Sequence, residues 1–94
     1  MAERLAALHD VEQALAEAHR RGLPAGAPVL DPLLARHRAW VGDMGGAPCA
    51  PDAYAGLADL YLAHPDFVAR YETIAEGFAR FLSTSMKLYA RRLG

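Results

Sequence analysis

Apolar residues recur at helical spacing in every stretch long enough to show a period, and each stretch is cut off by glycine or proline; this pairing constrains the chain more than any other feature. Leu8, Val11, Leu15 and Ala18 form the first stripe, with Glu3, Glu12, Glu17, Arg20 and Arg21 at its flanks and Gly22 as its stop. The next nine residues, GLPAGAPVL from Gly22 to Leu30, hold two glycines and two prolines and cannot continue that helix. Asp31 followed by Pro32 predicts an N-cap and first turn, after which Leu33, His37, Trp40, Val41 and Met44 share a face until Gly45 and Gly46.

A second loop, Gly45 to Ala50, carries the lone Cys49, and Pro51 opens a third helix with Tyr54, Leu57, Ala58 and Tyr61 on one stripe. His64 and Pro65 interrupt it. The segment from Pro65 to about Glu72, with Phe67, Val68 and Tyr71 apolar, reads as a short helix at a new angle. Thr73 with Glu76 three residues later predicts a capping box for a last helix. There Ile74, Phe78, Phe81, Ser85, Leu88 and Tyr89 run down one side towards Arg91 and Arg92, cations that suit the helix dipole. No β-alternation of useful length, internal repeat or low-complexity tail is present. The expected fold class is all-α, with about five helices.

At 94 residues, 53% hydrophobic and 22% charged, the chain reads as one domain, residues 1–94, with a modest core. The net charge of −1 leaves no cationic excess for a phosphate backbone, and the ten Lys and Arg are dispersed, so nucleic-acid binding through this segment is not expected. No apolar run approaches the ~20 residues of a membrane span, and the opening MAERLAALHDVEQ carries charges where a signal peptide needs an apolar stretch. A cytoplasmic protein with no membrane partner is expected. One cysteine excludes an internal disulfide and any CxxC motif.

The search for catalytic chemistry finds little. His9, His19, His37 and His64 lack HExxH or paired ligand spacing, so no metal is expected. Cys49 and His37 are a conceivable nucleophile and base, but nothing marks an orienting group or an oxyanion turn. There is no GxGxxG, no P-loop and no marked carboxylate pair; Asp43, Asp52, Asp59, Asp66 and Glu72 read as cap and surface residues. The chain is expected to be no enzyme and to need no cofactor. What stands out is the aromatic set. All eight aromatics, from Trp40 to Tyr89, follow the first helix. The plain reading makes them core. Tyrosine and tryptophan, however, carry polar groups that need partners, and Trp40, Tyr54 and Tyr61 beside the small Ala39, Ala55, Gly56 and Ala58 also suit a partly wet, mostly apolar ligand cleft.

The pieces and their order resemble a known family. His37 to Trp40 (HRAW), the Cys49 loop, Gly56 to Tyr61, the Pro-Asp-Phe turn at Pro65 to Phe67 and the Ile-Ala-x-Gly run at Ile74 to Gly77 resemble the TipAS domain, the antibiotic-recognition effector domain of MerR-type bacterial transcription regulators. The resemblance covers roughly Leu30 to Ala90. It implies a globin-like helical fold without haem and a cleft for bulky, largely apolar small molecules such as thiopeptide antibiotics. It also implies a C-terminal effector piece of a larger, homodimeric regulator, whose DNA-binding and dimerising parts precede this domain and make the contact with DNA.

The expected cleft lies between the second, third and last helices, with Trp40, Met44, Tyr54, Tyr61 and Phe78 at its wall. His37, Val41, Cys49, Leu57 and Ala58 complete the candidate ligand-binding set. No Lys, Arg or His adjoins Cys49 in sequence to stabilise a thiolate, so slow reaction with electrophiles is expected unless the fold brings a cation close. Two other readings use the same residues. One is a protein–protein interaction module whose aromatic groove accepts a partner helix. The other is a haem sensor with His64 or His37 as axial ligand, which the lack of a long histidine-bearing helix beside a large pocket disfavours.

Overall fold

The last helix organises the rest. The computed structural model describes residues 2–94, and among them it shows five α-helices and a short 3-10 turn, without strands. In chain order these are α1 (Ala2–Arg20), the turn at Pro28–Leu30, α2 (Asp31–Gly45), α3 (Pro51–Ala63), α4 (Pro65–Ile74) and α5 (Phe78–Leu93). The all-α class follows directly from the 3.6-residue period of the sequence. None of the described helices is long and apolar enough to cross a membrane.

Phe78, Phe81, Leu82, Met86 and Tyr89 of α5 are buried, and so are its small residues Ala79, Ser83, Ser85 and Ala90. A helix buried on so much of its circumference is a central one, and its small residues let a neighbour come close. That neighbour is α3, which packs along α5 more extensively than any other pair of elements, with Ser83 Oγ donating to the Ala58 carbonyl at 2.9 Å. Val11, Leu15 and Ala16 of α1, with Leu30 and Leu34 around the start of α2, close the core from the other side. Each fully buried leucine stabilises the fold by about 2 kcal/mol.

Four local expectations are corrected. Thr73 does not start α5: it is still inside α4, where its Oγ1 donates to the Ala69 carbonyl at 2.8 Å. The chain turns through extended Ala75 and left-handed Gly77 (φ 81°), so the free amides belong to Gly77 and Ala79, and the Glu72 carboxylate caps both at 2.8 and 2.9 Å. Asp31 is not an N-cap either. Its own backbone is already helical, its N–H bonds to Pro28 O from the preceding 3-10 turn, and its carboxylate pairs with Arg92. On α2 the buried face is Leu34, His37 and Gly42, with Leu33, Trp40 and Val41 half-buried and Met44 47% exposed, a rotation away from the expected stripe. On that face the backbone of residues 47–49 lies against Gly42. Finally, Glu12 is fully buried rather than on a flank.

Candidate functional site

A polar seam runs through the aromatic core. Tyr54 and Tyr61 of α3, Tyr71 of α4 and His37 of α2 are all buried, and their rings form a chain: His37 to Tyr54 at 5.6 Å, His37 to Tyr61 at 6.4 Å, Tyr61 to Tyr71 at 5.1 Å between centroids. Tyr71 continues to Phe78 in an edge-on contact at 5.9 Å. His37 Nδ1 and the Tyr54 hydroxyl are 2.7 Å apart, and that hydroxyl also lies 3.5 Å from the Leu34 carbonyl. Burial, helped by the charge of Arg70, lowers the His37 pKa to about 4, so the ring is neutral at physiological pH. Burial raises the pKa values of Tyr54, Tyr61 and Tyr71 in turn, and all three stay protonated. His37 Nε2 and Ser85 Oγ are buried with no hydrogen-bond partner among the described atoms.

Of the expected cleft wall, Tyr54, Tyr61 and Phe78 are therefore interior, and so is Ala58; Leu57 is half-buried. These residues do not wall an open cleft: α3 packs along α5, and Tyr54, Ala58, Tyr61 and Phe78 are buried in the core between the helices. Trp40 turns the other way. Its indole N–H donates to the Arg4 carbonyl at 2.7 Å, pinning α2 to α1, and the Arg4 guanidinium reaches the Met44 sulfur at 3.9 Å. Val41 is half-buried on the same helix.

The open cleft nearest these residues lies along α2. It measures about 550 Å³ and is lined by Ala35, Arg38, Ala39, Gly42 and Asp43 from the helix and by Gly46, Ala47, Pro48 and Cys49 from the connection to α3. Cys49 is the candidate residue that lines it. Gly42 lets the backbone of residues 47–49 lie close against α2: a Cβ there would stand 3.0 Å from the Ala47 carbonyl oxygen and 3.1 Å from the Cys49 nitrogen. Arg38 Nε donates to the Cys49 carbonyl at 2.6 Å, so the fold does bring a cation to this residue, through its backbone. Cys49 is half-buried, and its thiol points to the Ala50 carbonyl at 3.7 Å. It also lies close enough to Tyr54 to weigh on the ionisation of that hydroxyl. His37, considered above as a base for Cys49, is engaged with Tyr54 instead. Among the described residues, no three His, Cys, Asp or Glu side chains converge as metal ligands would.

Sequence reasoning placed Ala39 beside a cleft but missed Ala35, Arg38 and Gly42, because a single polar or small residue off the apolar stripe has no periodic signature. A second cleft of about 570 Å³ opens where α1, α4 and α5 meet, lined by His19, Leu62, Val68, Glu72, Phe81 and Thr84 among others. His19 there meets Phe81 with tilted rings, centroids 4.8 Å apart, and bonds the Glu76 carbonyl through Nε2 at 2.7 Å.

Comparison with known proteins decides the family. The family model for the TipAS antibiotic-recognition domain matches residues 1–89. The chain belongs to the TipAS family. The match extends the resemblance, read above from Leu30 onward, back through α1. Two relatives carry the same description, HTH-type transcriptional regulator SkgA, from Caulobacter vibrioides strains NA1000 / CB15N and ATCC 19089 / CIP 103742 / CB 15. Each is 43% identical over 81 residues, which is 86% of this chain and 32% of the relative. The chain thus spans about a third of the length of these curated relatives. No solved structure matches. The family is described as an antibiotic-recognition domain and the two relatives as transcriptional regulators, which supports a sensing, effector-type role for this domain.

Proposed function

We propose that this TipAS domain binds a bulky, largely apolar small molecule, an antibiotic of the thiopeptide kind or one of similar shape, in the cleft along α2. The domain then passes the event to the DNA-binding part of a cytoplasmic, homodimeric regulator of MerR type. The observation that carries this reading is the 550 Å³ cleft with Cys49 on its wall, in a domain of an antibiotic-recognition family. Its lining mixes small apolar side chains with Arg38, Asp43 and Cys49, the combination of apolar walls and a few polar groups that ligand sites use. Trp40, Val41 and Met44 lie on the same helix, and His37, Tyr54, Leu57, Ala58, Tyr61 and Phe78 form the packed interior behind it, so a ligand that moves residues 45–54 is felt by that core. Ligand works by favouring one arrangement of this stretch over another, to the extent that it binds the two with different affinity.

Thermal unfolding of the isolated chain with a thiopeptide tests the proposal. A ligand at 100 times its dissociation constant adds about 2.7 kcal/mol of stability. The expected result is a saturable rise in midpoint, a matching change in Trp40 emission and added amide protection across residues 45–54. Arg38→Ala should weaken that response. A panel of thiopeptides and comparable apolar antibiotics that moves neither midpoint nor emission would overturn the proposal.

A further inference from the structure

Among the described residues, Glu12 is the one acidic side chain buried within the core, with 1% of the side chain exposed. A carboxylate taken so far from water is stable only when paired. Among the described residues its ionic partner is Arg70 of α4, which meets it in a two-pronged fork: Nη1 to Oε2 at 2.5 Å and Nη2 to Oε1 at 2.8 Å. The two partners differ in access, because the Arg70 side chain is 44% exposed. The carboxylate therefore sits at the bottom of a socket, and a guanidinium that solvent can reach fills it. The wall is aromatic. Arg70 Cζ lies 5.1 Å from the Tyr71 ring centroid, within cation–π range, and Tyr61 stands behind Tyr71. The other titratable groups facing the socket, Tyr61, Tyr71 and His37, are held in their neutral forms by burial, so Glu12 supplies the only negative charge there.

We propose that the Glu12 socket is a binding site for a planar organic cation, a guanidinium or amidinium group, and that Arg70 is an internal occupant which such a group displaces. Exchange of one planar cation for another leaves Glu12 paired throughout, so displacement never exposes the core to a lone charge. Simple removal of Arg70 does. Displacement requires the half-exposed Arg70 side chain to rotate outward from the short helix α4, of which Tyr71 alone is fully buried. The site shares no lining residue with the α2 cleft, and the two proposals stand or fall separately.

The test uses benzamidinium chloride as the probe. Arg70→Met keeps the alkyl stem and removes the charge, and the double variant Glu12→Gln with Arg70→Met removes both. Benzamidinium is expected to raise the unfolding midpoint of R70M saturably, and choline chloride at equal ionic strength is not. The unaltered domain should need about 10-fold more probe for half-saturation, since Arg70 competes from an effective concentration in the millimolar range. E12Q/R70M should show no saturable response. Should R70M be unfolded alone, recovery of its helical circular dichroism by benzamidinium, and not by choline, has the same meaning. Equal responses in R70M and E12Q/R70M, no response in R70M, or equal half-saturation in R70M and the unaltered domain would each overturn the proposal.

Discussion

The two sides of this domain are joined in opposite ways. Where α1 meets α4 and the turn into α5, the contacts are directional and polar. Arg70 forks onto buried Glu12, Arg20 Nη2 donates to the Ile74 carbonyl at 2.7 Å, His19 holds the Glu76 carbonyl, and Glu72 caps α5. Gly77 belongs to the same joint: its left-handed φ of 81° and the His19 Nε2 that a Cβ would meet at 3.1 Å both require glycine. On the other side, α2 and residues 46–49 meet at the bare backbone of Gly42, where the Ala47 and Gly46 amides close the helix end on the Gly42 and Asp43 carbonyls, and through one side-chain hydrogen bond, from Arg38, and a cleft remains between them. The first joint fixes the chain in one geometry because several directional side-chain hydrogen bonds converge there. The second has few directional ties, so it yields at low cost, which is what a ligand-responsive surface needs.

The largest expected effect tests whether the seam between the two sides is committed to neutral histidine. His37 has its folded pKa lowered from 6.5 to about 4 by burial and by Arg70. The unfolded state therefore binds the extra proton first as pH falls. Stability due to this group is complete above pH 6.5 and is lost as pH drops towards 4, by roughly 3 kcal/mol in all. Urea unfolding at pH 7.5 and pH 4.5 should show that loss in the unaltered domain, and His37→Gln should flatten it. A pH slope that H37Q leaves unchanged would place the acid sensitivity elsewhere.

Next in size is the α5 cap in the polar joint. Glu72→Ala removes the acceptor for two amides and should cost about 1 kcal/mol, as loss of an N-terminal cap does. The hydrogen bonds from Ala79 and Gly77 hold the Glu72 carboxyl below its usual range. Its contribution is present above the unfolded pKa and fades as pH falls through the folded one, so E72A and the parent should converge in strongly acidic solution. If E72A is as stable as the parent at neutral pH, the joint is not held by this cap.

The smallest change in stability is expected on the yielding side, where it separates packing from access. Gly42→Ala gains up to about 1 kcal/mol of helix propensity, yet its Cβ presses on the backbone of residues 47–49. The two effects should nearly cancel in unfolding experiments while Cys49 becomes more reactive. Iodoacetamide labelling should therefore run faster in G42A at nearly unchanged midpoint. A slower reaction would show that residues 46–49 tighten rather than loosen.

The helices were legible because their signals are local. Apolar spacing, Pro51 and Pro65 at first turns and the Gly22 and Gly46 stops depend on neighbours within a turn or two, and the five elements follow from them. So did the buried stripe of α3, Tyr54, Ala58 and Tyr61. Glu12 gave a signal that went unused, a charge four residues after Leu8 and three before Leu15, on the apolar stripe itself. The caps were misread because Asp31 and Thr73 have the right chemistry at the wrong backbone. Which amides lie free at a helix start depends on where the preceding turn ends.

By itself the sequence determined that this chain is all-helical, where it bends, which family it resembles and that its aromatics gather in the second half. Only the tertiary structure decided whether those aromatics wall a cleft or fill a core, since that turns on how closely α3 and α5 approach across residues distant in the chain. It also decided that Cys49, and not Tyr54, faces the open space, and that Glu12 meets an arginine 58 residues away. Local periodicity says which face of a helix avoids water. It carries no information about which distant group will arrive to cover that face.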